Sequence, residues 1–280
     1  MNRQVYYRSI KSKKHKQLIA LQVIDLVYSI RNLMPRLGTR KLYHMLRFEL
    51  GKINVGRDKL FKILKVNNML ITPKKSYHIT TDSHHRFRKH KNIVSNLEFE
   101  HPEQVWVSDI TYTGNRKNPS YLALVTDAYS KRIMGYDVSA SLEMEGSIRA
   151  LEMAFKNRNY RDRPLIHHSD RGLQYCSNEY QKILKNKFVS TSMTEKYDPY
   201  ENAIAERVNG VLKQEFSIAA YNNDLSTKKK LVKDAINIYN TVRPHLSNQM
   251  LTPNQMHKQS KLKRKTYKSK KLNNDIIVQL

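Results

Sequence analysis

Apolar residues recur at three- and four-residue spacing through the first part of the chain, and this spacing is typical of amphipathic helices. It predicts one helix from Leu18 to Leu33, ending near Pro35. It predicts a second from Thr39 to Leu50 and a third from Arg57 to Val66, which follows a turn at Gly56. The N-terminal part is therefore expected to be all-α.

The third predicted helix has basic residues on the surface that its apolar side chains leave free: Arg57, Lys59, Lys62 and Lys65. Three short helices with a basic last one are similar to a helix-turn-helix unit, whose final helix lies in a DNA groove. Periodicity alone leaves open a small helical bundle with a solvated lysine face. The next segment, 74–92, is rich in His, Lys and Arg and is interpreted as a linker that follows DNA.

The pattern changes to alternating, β-branched residues at Gln104. Three runs, QVWVSDITYT, YLALVTDAYS and RIMGYDVS, predict three antiparallel strands. The elements expected after them are a helix at 142–157, a strand PLIHHSD, a helix at 177–187, a strand FVSTSM, a long helix from Asn202 to Phe216 and a last helix at 227–241. This order predicts the ribonuclease H-like α/β layout.

Charge is distributed unevenly along the 280 residues, which have a formal net charge of +27. Residues 1–100 contain 22 basic and 6 acidic side chains, residues 101–257 contain 21 and 17, and residues 258–271 contain eight and none. Basic ends around a nearly neutral middle are expected when the ends neutralise the phosphates of a nucleic acid. Charge alone leaves open a ribosome-associated or merely soluble basic protein, and it does not distinguish DNA from RNA.

Other sequence features limit the class of protein. No apolar stretch approaches the ~20 residues of a membrane span, which excludes a transmembrane protein, and the basic N-terminus lacks the apolar core of a signal peptide. The single cysteine, Cys176, cannot form an internal disulfide or a multi-cysteine zinc site. We therefore expect a cytosolic protein in which Cys176 is structural.

Three carboxylates are candidates for a metal site. Asp109 lies in the middle of a β-branched strand, where an unpaired carboxylate is costly, and Asp170 follows a second strand. On the 202–216 helix, at about 100° per residue, Glu206 and Lys213 lie on the polar side, opposite the apolar residues. Mg²⁺ prefers such oxygen ligands. Each residue alone is as readily explained by a turn, an ion pair or a solvated helix face.

Several blocks of sequence resemble the retroviral-integrase-like DDE transposases of insertion sequences, in particular the product of the second of two overlapping reading frames. The catalytic-core blocks are VWVSDITYT, LIHHSDRGLQYCS and PYENAIAERVNGVLKQEF, with 35 residues between Asp170 and Glu206, which is the spacing of the DD(35)E motif. RLGTRKLYHML resembles the N-terminal helix-turn-helix block, and YNTVRPHLSNQMLTP resembles the C-terminal pattern. The resemblance covers roughly residues 18–256.

The resemblance implies a catalytic, metal-binding triad of Asp109, Asp170 and Glu206, and a DNA-contacting Lys213. It implies two Mg²⁺ ions, which Mn²⁺ can replace, and a displacement at phosphorus that cleaves DNA strands and transfers them. It also implies a circular intermediate, double-stranded DNA as partner in the form of terminal repeats and target, and a homo-oligomer of at least two subunits. An upstream-frame product or frameshift fusion can be a further partner. The protein is expected in the bacterial cytoplasm, and on the nucleoid when DNA is bound.

The predicted elements, the charge distribution and the resemblance together predict a division of the chain, in which the basic tail lies outside the resemblance. Residues 1–73 are expected to form the helix-turn-helix DNA-binding region, 74–100 a basic linker, 101–257 the ribonuclease H-like integrase core with its C-terminal helix, and 258–280 a basic tail. Two other functions stay open: a ribonuclease H-like nuclease without strand transfer, and an inactive DNA-binding remnant.

Four further side chains near the triad could be mistaken for ligands. Asp127, on the strand after Asp109, is interpreted as a turn residue or as a support for the ligands. Glu201 stands where the family often has Asp and lies on a different side of the helix from Glu206. His167 and His168 are interpreted as packing groups or as supports for the ligands, because a carboxylate site suits Mg²⁺ better than imidazole does.

Overall fold

The computed structural model describes residues 2–72, 87–95, 97–114, 119–195, 202–218 and 224–259. Five strands in this part of the chain form one sheet: β1 (Val105–Gly114), β2 (Pro119–Asp127), β3 (Ile133–Ser139), β4 (Ile166–Ser169) and β5 (Ser190–Met193). Their spatial order is β3-β2-β1-β4-β5. The first three strands pair antiparallel, whereas β4 pairs parallel with β1 and β5 pairs parallel with β4. The predicted ribonuclease H-like layout is confirmed.

Helices of two groups surround this sheet. The N-terminal group is α1 (Arg3–Arg31), α2 (Thr39–Met45), α3 (Arg47–Lys52) and α4 (Arg57–Val66). The second group is α5 (Met144–Lys156), α6 (Leu173–Cys176), α7 (Asn178–Asn186), α8 (Ala203–Glu215), α9 (Leu225–Thr241) and α10 (Pro253–His257), with a 3₁₀ turn at Leu246–Asn248. The N-terminal part is all-α, as the sequence predicts.

The helices differ from the predicted ones in two respects. The first helix starts at Arg3 instead of Leu18, and the helix predicted from Thr39 to Leu50 is two helices that meet at Leu46, whose φ of −97° and ψ of 14° are not helical. The short helices α6 and α10 were not predicted, because four or five residues are too few to show a helical period.

Buried side chains join the two groups of helices. One cluster contains Leu42, Leu60 and Leu64 of the N-terminal helices together with Leu212 of α8 and Tyr239 of α9. A second cluster fills the other side of the sheet, and its members include Trp106, Leu151, Tyr180 and Leu184. The sheet is therefore covered on both faces, and α8 packs between the sheet and the N-terminal helices.

Gly135 on β3 sets the distance between the sheet and α5. A Cβ at this position would lie 2.0 Å from the carbonyl oxygen of Ala150 and 2.6 Å from the backbone nitrogen of Ala154. Only glycine lets the helix backbone approach the strand this closely.

Two predicted segments fall largely or wholly outside the described residues. These are the basic linker, of which 74–86 are not described, and the basic tail from residue 260 onward. Across the described ranges, no helix has both the length and the apolar composition needed to cross a membrane.

Candidate active site

Asp109 on β1 and Asp170, the residue directly after β4, are neighbours. The parallel register of β1 and β4 pairs Ser108 with Ser169, and each aspartate follows one of these serines. Gly172 then turns the chain, and its backbone N–H donates to Oδ1 of Asp170 at 3.0 Å. Parallel pairing thus brings together two carboxylates that are far apart in sequence.

Helix α8 lies against β1 and presents the polar face that the sequence predicts. Its buried residues are Ala205, Val208, Asn209, Val211 and Leu212. Nδ2 of Asn209 donates to Oδ2 of Asp109 at 2.7 Å, and Nδ2 of Asn202 donates to the carbonyl oxygen of Ser108 at 3.2 Å. These two amides fix the helix that carries Glu206 and Lys213 onto the strand that carries Asp109.

The carboxylates also interact electrostatically. Burial and the negative charge of Asp170 raise the pKa of Asp109 to about 7, the hydrogen bond from Asn209 opposes the rise, and the charge of Glu206 adds to it. Partial burial raises the pKa of Glu206. Burial lowers the pKa of Lys213, and the charge of Asp109 opposes that shift. Asp109 therefore lies within electrostatic reach of the other three predicted site residues.

The described residues contain no three His, Cys, Asp or Glu side chains already grouped as a metal-binding set. The oxygen ligands of the triad nevertheless suit a hard divalent cation. Burial is the main cause of the raised pKa of Asp109, and the negative charges of Asp170 and Glu206 add to it; a bound cation would offset this cost of holding the carboxylates charged. The chemistry of the donor atoms therefore fits a divalent metal, although the side chains are not gathered around one point.

A groove of about 480 Å³ runs along α8; Glu206 lines it, whereas Asp109 and Asp170 do not. Glu206 is exposed to it and lies at the boundary between this groove and the helix face that contacts β1. The lining residues are Ala203, Glu206, Arg207, Gly210, Val211, Gln214 and Glu215. Space for a ligand thus exists beside the third carboxylate.

The four basic residues predicted to recognise DNA lie on a different element, α4, and are exposed: Arg57, Lys59, Lys62 and Lys65. Leu60 and Leu64 of the same helix are buried. Nε of Arg57 forms an exposed ion pair with Oδ1 of Asp58 at 2.9 Å. The basic face of α4 is therefore solvent-accessible, as a groove-binding helix requires.

Asp127 is a turn residue, as the sequence interpretation has it. The side chain is buried, and it accepts from the backbone N–H groups of Glu103 and Ser130 at 2.7 Å each. Burial acts to raise the pKa of Asp127, but the hydrogen bond and charge of His257, followed by the hydrogen bonds from Ser130, hold it below its usual value. Glu201, the other carboxylate that could be mistaken for a metal ligand, lies outside the described residues.

The two histidines before Asp170 are packing groups. His167 and His168 are fully buried, and Nε2 of His167 lies 2.8 Å from Oγ of Ser108 and 2.9 Å from the hydroxyl of Tyr180. Burial lowers the pKa of His167 to about 3, so its ring is neutral. The remaining candidate, Cys176, is buried, and burial raises the pKa of its thiol to about 11, which agrees with a structural role.

Sequence reasoning missed two features of this region. The hydrogen bond of Asn209 to Asp109 could have been expected from the position of Asn209 on the same helix face as Glu206. The second is a buried group in which His257 of α10 lies 3.1 Å from Glu103 and 3.5 Å from Asp127. No local pattern signals a contact between residues 154 positions apart.

A mixed sheet of this order, with acidic residues on its two central parallel strands and a helix carrying a third beside them, is the architecture of an integrase-type catalytic core. Residues 100–199 and 187–253 each match a family model described as an integrase core domain. The chain belongs to the DDE transposases of insertion sequences, and its function is of the transposase type.

Relatives support this assignment over most of the chain. It is 33% identical over 254 residues to an uncharacterized 31 kDa protein of insertion element IS600 from Shigella sonnei, covering 88% of this chain and 90% of that one. It is 32% identical over 176 residues to the transposase of insertion sequence element IS629 from Shigella sonnei, covering 63% and 58% of the two chains.

Solved structures give a similar but weaker likeness. The HTLV-2 integrase catalytic core domain in complex with magnesium is 19% identical with a TM-score of 0.45, covering 56% of this chain and 97% of that one. The fold assignment therefore rests on the sheet order and the family models.

Proposed function

We propose that this protein cleaves DNA at the ends of an insertion sequence and joins the freed strands to a second site, with Asp109, Asp170 and Glu206 as the catalytic and metal-binding triad. The observation that carries the proposal is the placement of Asp109 beside Asp170, with α8 fixed to Asp109 through Asn209. The 35-residue spacing before Glu206 supports the same assignment.

The proposed cofactor is a pair of Mg²⁺ ions, replaceable by Mn²⁺. Two bound ions supply Lewis-acid activation of the attacking oxygen and stabilisation of the leaving oxygen. Glu206 has to turn from the groove toward the aspartates, because the described side chains do not yet form a ligand set. Lys213 on the same face holds a neighbouring phosphate, and Asn209 keeps Asp109 oriented.

The proposed reaction has two displacements at phosphorus. In the first, water attacks a phosphodiester, the P–O3′ bond breaks, and a 3′-hydroxyl is released at the end of the element. In the second, this hydroxyl loses its proton, its oxygen bonds to another phosphorus, and the P–O3′ bond there breaks. The number of phosphodiester bonds is conserved in the second step, so no external energy source is needed. One end attacking beside the other gives the circular intermediate.

The proposed partners are the terminal repeats, contacted by Arg57, Lys59, Lys62 and Lys65 of α4, and a target duplex. Two ends have to meet in one complex, so the active form is a homo-oligomer of at least two subunits. The site of action is the bacterial cytoplasm, on the nucleoid when DNA is bound.

The test compares the wild-type protein with Glu206→Gln on labelled DNA from the two ends of its own locus, with Mg²⁺ or Mn²⁺. Joined products from the wild type alone are expected, with nearly equal DNA affinity for both proteins, because the variant loses a metal ligand and keeps its basic surfaces. Lys182→Gln, an exposed change on α7, is the matched control and should keep both activities.

Three outcomes contradict the proposal. Nicked products without joined ones indicate a nuclease. An equal loss of DNA affinity in Glu206→Gln indicates that Glu206 is structural. Absence of any metal-dependent product, also from a fusion with the upstream reading frame, indicates a DNA-binding remnant.

A further inference from the structure

The first half of α1 extends from the protein without packing against it. From Arg3 to Leu18 every side chain is exposed except those of Ser9 and Ile10, which are half-buried. The buried residues of this 29-residue helix, Val23 and Val27, both lie in its second half. A helix segment that buries no apolar face is marginally stable in water, so a partner that covers it would stabilise it.

This exposed half has a strongly one-sided charge. It contains the basic residues Arg3, Arg8, Lys11, Lys13, Lys14 and Lys16, and the first acidic residue of the chain is Asp25. A macromolecule that covers the segment therefore has to be negatively charged. A second copy of the chain is disfavoured, because it would bring the same positive charges together.

Half of these six basic residues lie on one side of the helix, whereas Lys13 and Lys16 lie toward the side of Val23 and Val27. At about 100° per residue, Arg8, Lys11, Lys14 and His15 fall within about 120° of the helix circumference, and we call these four residues the basic stripe. Val23 and Val27, by which α1 packs, point in the opposite direction on the same scale. The basic stripe therefore faces away from the body of the protein.

An aromatic ring lies on the same side of the helix. Tyr7 belongs to the arc of the basic stripe, and the guanidinium of Arg3 lies 5.9 Å from the centroid of its ring. The 14 residues from Arg3 to Lys16 span about 21 Å at 1.5 Å per residue. This length is enough to lie along the phosphates of one groove of a duplex.

We propose that the basic stripe binds the sugar-phosphate backbone of duplex DNA, as a second DNA-contacting element besides α4. The inference rests on the proposed function, since it assumes that the chain acts on DNA. The stripe contributes affinity without sequence preference, because lysine and arginine contacts to phosphate carry no base information.

The test is the salt dependence of DNA binding by the triple variant Arg8→Gln, Lys11→Gln, Lys14→Gln. Glutamine keeps the helix propensity of the positions it replaces. Each phosphate contact contributes about 0.9 to the slope of log K against log salt, so the slope should fall by about 2 to 3. The loss of affinity should be the same for an element end and for an unrelated duplex.

The matched control removes an equal charge elsewhere. Lys182, Lys185 and Lys187 are exposed around α7, and their triple change to Gln should leave the slope nearly unchanged. An equal effect of both triple variants overturns the proposal, because net charge then explains the binding. A stripe variant that changes the oligomeric state with an unaltered salt slope also overturns it, because the partner is then a second copy.

A label at position 12 gives an independent measurement. Ser12 is exposed and Cys176 is buried with a raised thiol pKa, so Ser12→Cys offers a single reactive thiol. A spin label there should lose mobility when duplex DNA is added and regain it at high salt. Unchanged mobility at saturating DNA contradicts the proposal.

The outcomes separate this inference from the proposed function. Joined DNA products together with an unaltered salt slope in the stripe variant refute only the inference. A slope that depends on the stripe, in a protein that forms no joined products, refutes only the proposed strand transfer.

Discussion

Lys41 of α2 and Glu215 of α8 form an ion pair of 2.7 Å, although they are 174 positions apart in the chain. Arg243 completes the group, because its Nε and Nη2 each donate to the Glu215 carboxylate at 2.7 Å. All three side chains are at least 85% covered, with exposed fractions of 10%, 15% and 2%. The helix with the candidate catalytic glutamate is thus tied directly to the N-terminal helices.

Replacement of Glu215 by Gln should destabilise the protein strongly. Two buried cations then lose their counter-charge, which costs about 3–5 kcal/mol of the free energy of unfolding. Lys41→Met should cost less, because the bidentate pair of Arg243 and Glu215 remains. Urea unfolding checks the order of the two variants. Arg57→Gln breaks an exposed ion pair and should change stability by less than about 1 kcal/mol. If all three changes lowered the free energy of unfolding equally, the buried ion pairs of Glu215 would not be the stabilising contact proposed.

Replacement of Asp109 by Asn should stabilise the metal-free protein at pH 8. The pKa of Asp109 is raised to about 7, so the folded state holds its proton more tightly than the unfolded state. Its contribution is complete below the unfolded-state pKa of about 4 and is lost progressively as the pH rises to about 7. The gain should be about 1–3 kcal/mol at pH 8 and clearly smaller at pH 5, and it should vanish only below about pH 4. Thermal unfolding at both pH values measures it.

Magnesium should stabilise the wild type and not the Asp109→Asn variant. It should raise the melting temperature of the wild type at pH 8, since binding to the folded state adds stability, and leave that of Asp109→Asn almost unchanged. Asp58→Asn, an exposed change on α4, is the control for general charge effects. A wild type that gains nothing from magnesium or manganese speaks against the proposed metal site.

Replacement of Gly135 by Ala should loosen the packing of α5 on β3. The new Cβ would lie 2.0 Å from a backbone oxygen of the helix, so strand and helix have to move apart. The expected cost is about 1–3 kcal/mol or more, as for other overpacked sites. Gly51→Ala on α3 is the matched control, because nothing lies within 4 Å of its Cβ and alanine favours the helix. Equal denaturation midpoints for the two variants would contradict the close contact.

Replacement of His257 by Gln should reduce the dependence of stability on pH. Although burial opposes it, the hydrogen bonds to Asp127 and Glu103 raise the pKa of His257. A raised histidine pKa contributes stability that is complete at low pH and lost as the pH rises through the folded-state value. The wild type should therefore lose more stability than the variant between pH 6 and pH 9. His44→Gln, an exposed change on α2, should leave the wild-type slope intact.

The sequence was sufficient to predict elements that bury an apolar face. The three antiparallel strands, α4 and the polar face of α8 follow from periodicity, because burial selects the residue type at each repeat. The start of α1 could not be found in this way. From Arg3 to Leu18 no side chain is buried, so no apolar period marks this part of the helix.

The sequence predicted the acidic residues of the candidate site but not the contacts that hold them in place. Asp109, Asp170 and Glu206 were named from motif and spacing, and their roles stay a prediction. The hydrogen bond from Asn209 and the group formed by Lys41, Glu215 and Arg243 depend on how distant elements pack, and one sequence contains no local signal for that. Periodicity gives the face of a helix but not the partner it meets.

Each side of helix α8 makes a different set of contacts, and this should limit the substitutions that the helix tolerates. One part fills the core, another is bonded to β1, a third borders the groove, and its last turn binds Lys41 and Arg243. Saturation mutagenesis should therefore find few tolerant positions between Ala203 and Glu215, in contrast to the lysine-rich outer face of α7. Functional copies of the element should therefore keep α8 nearly unchanged, whereas copies that have lost activity are free of this constraint, so substitutions in this helix distinguish the two.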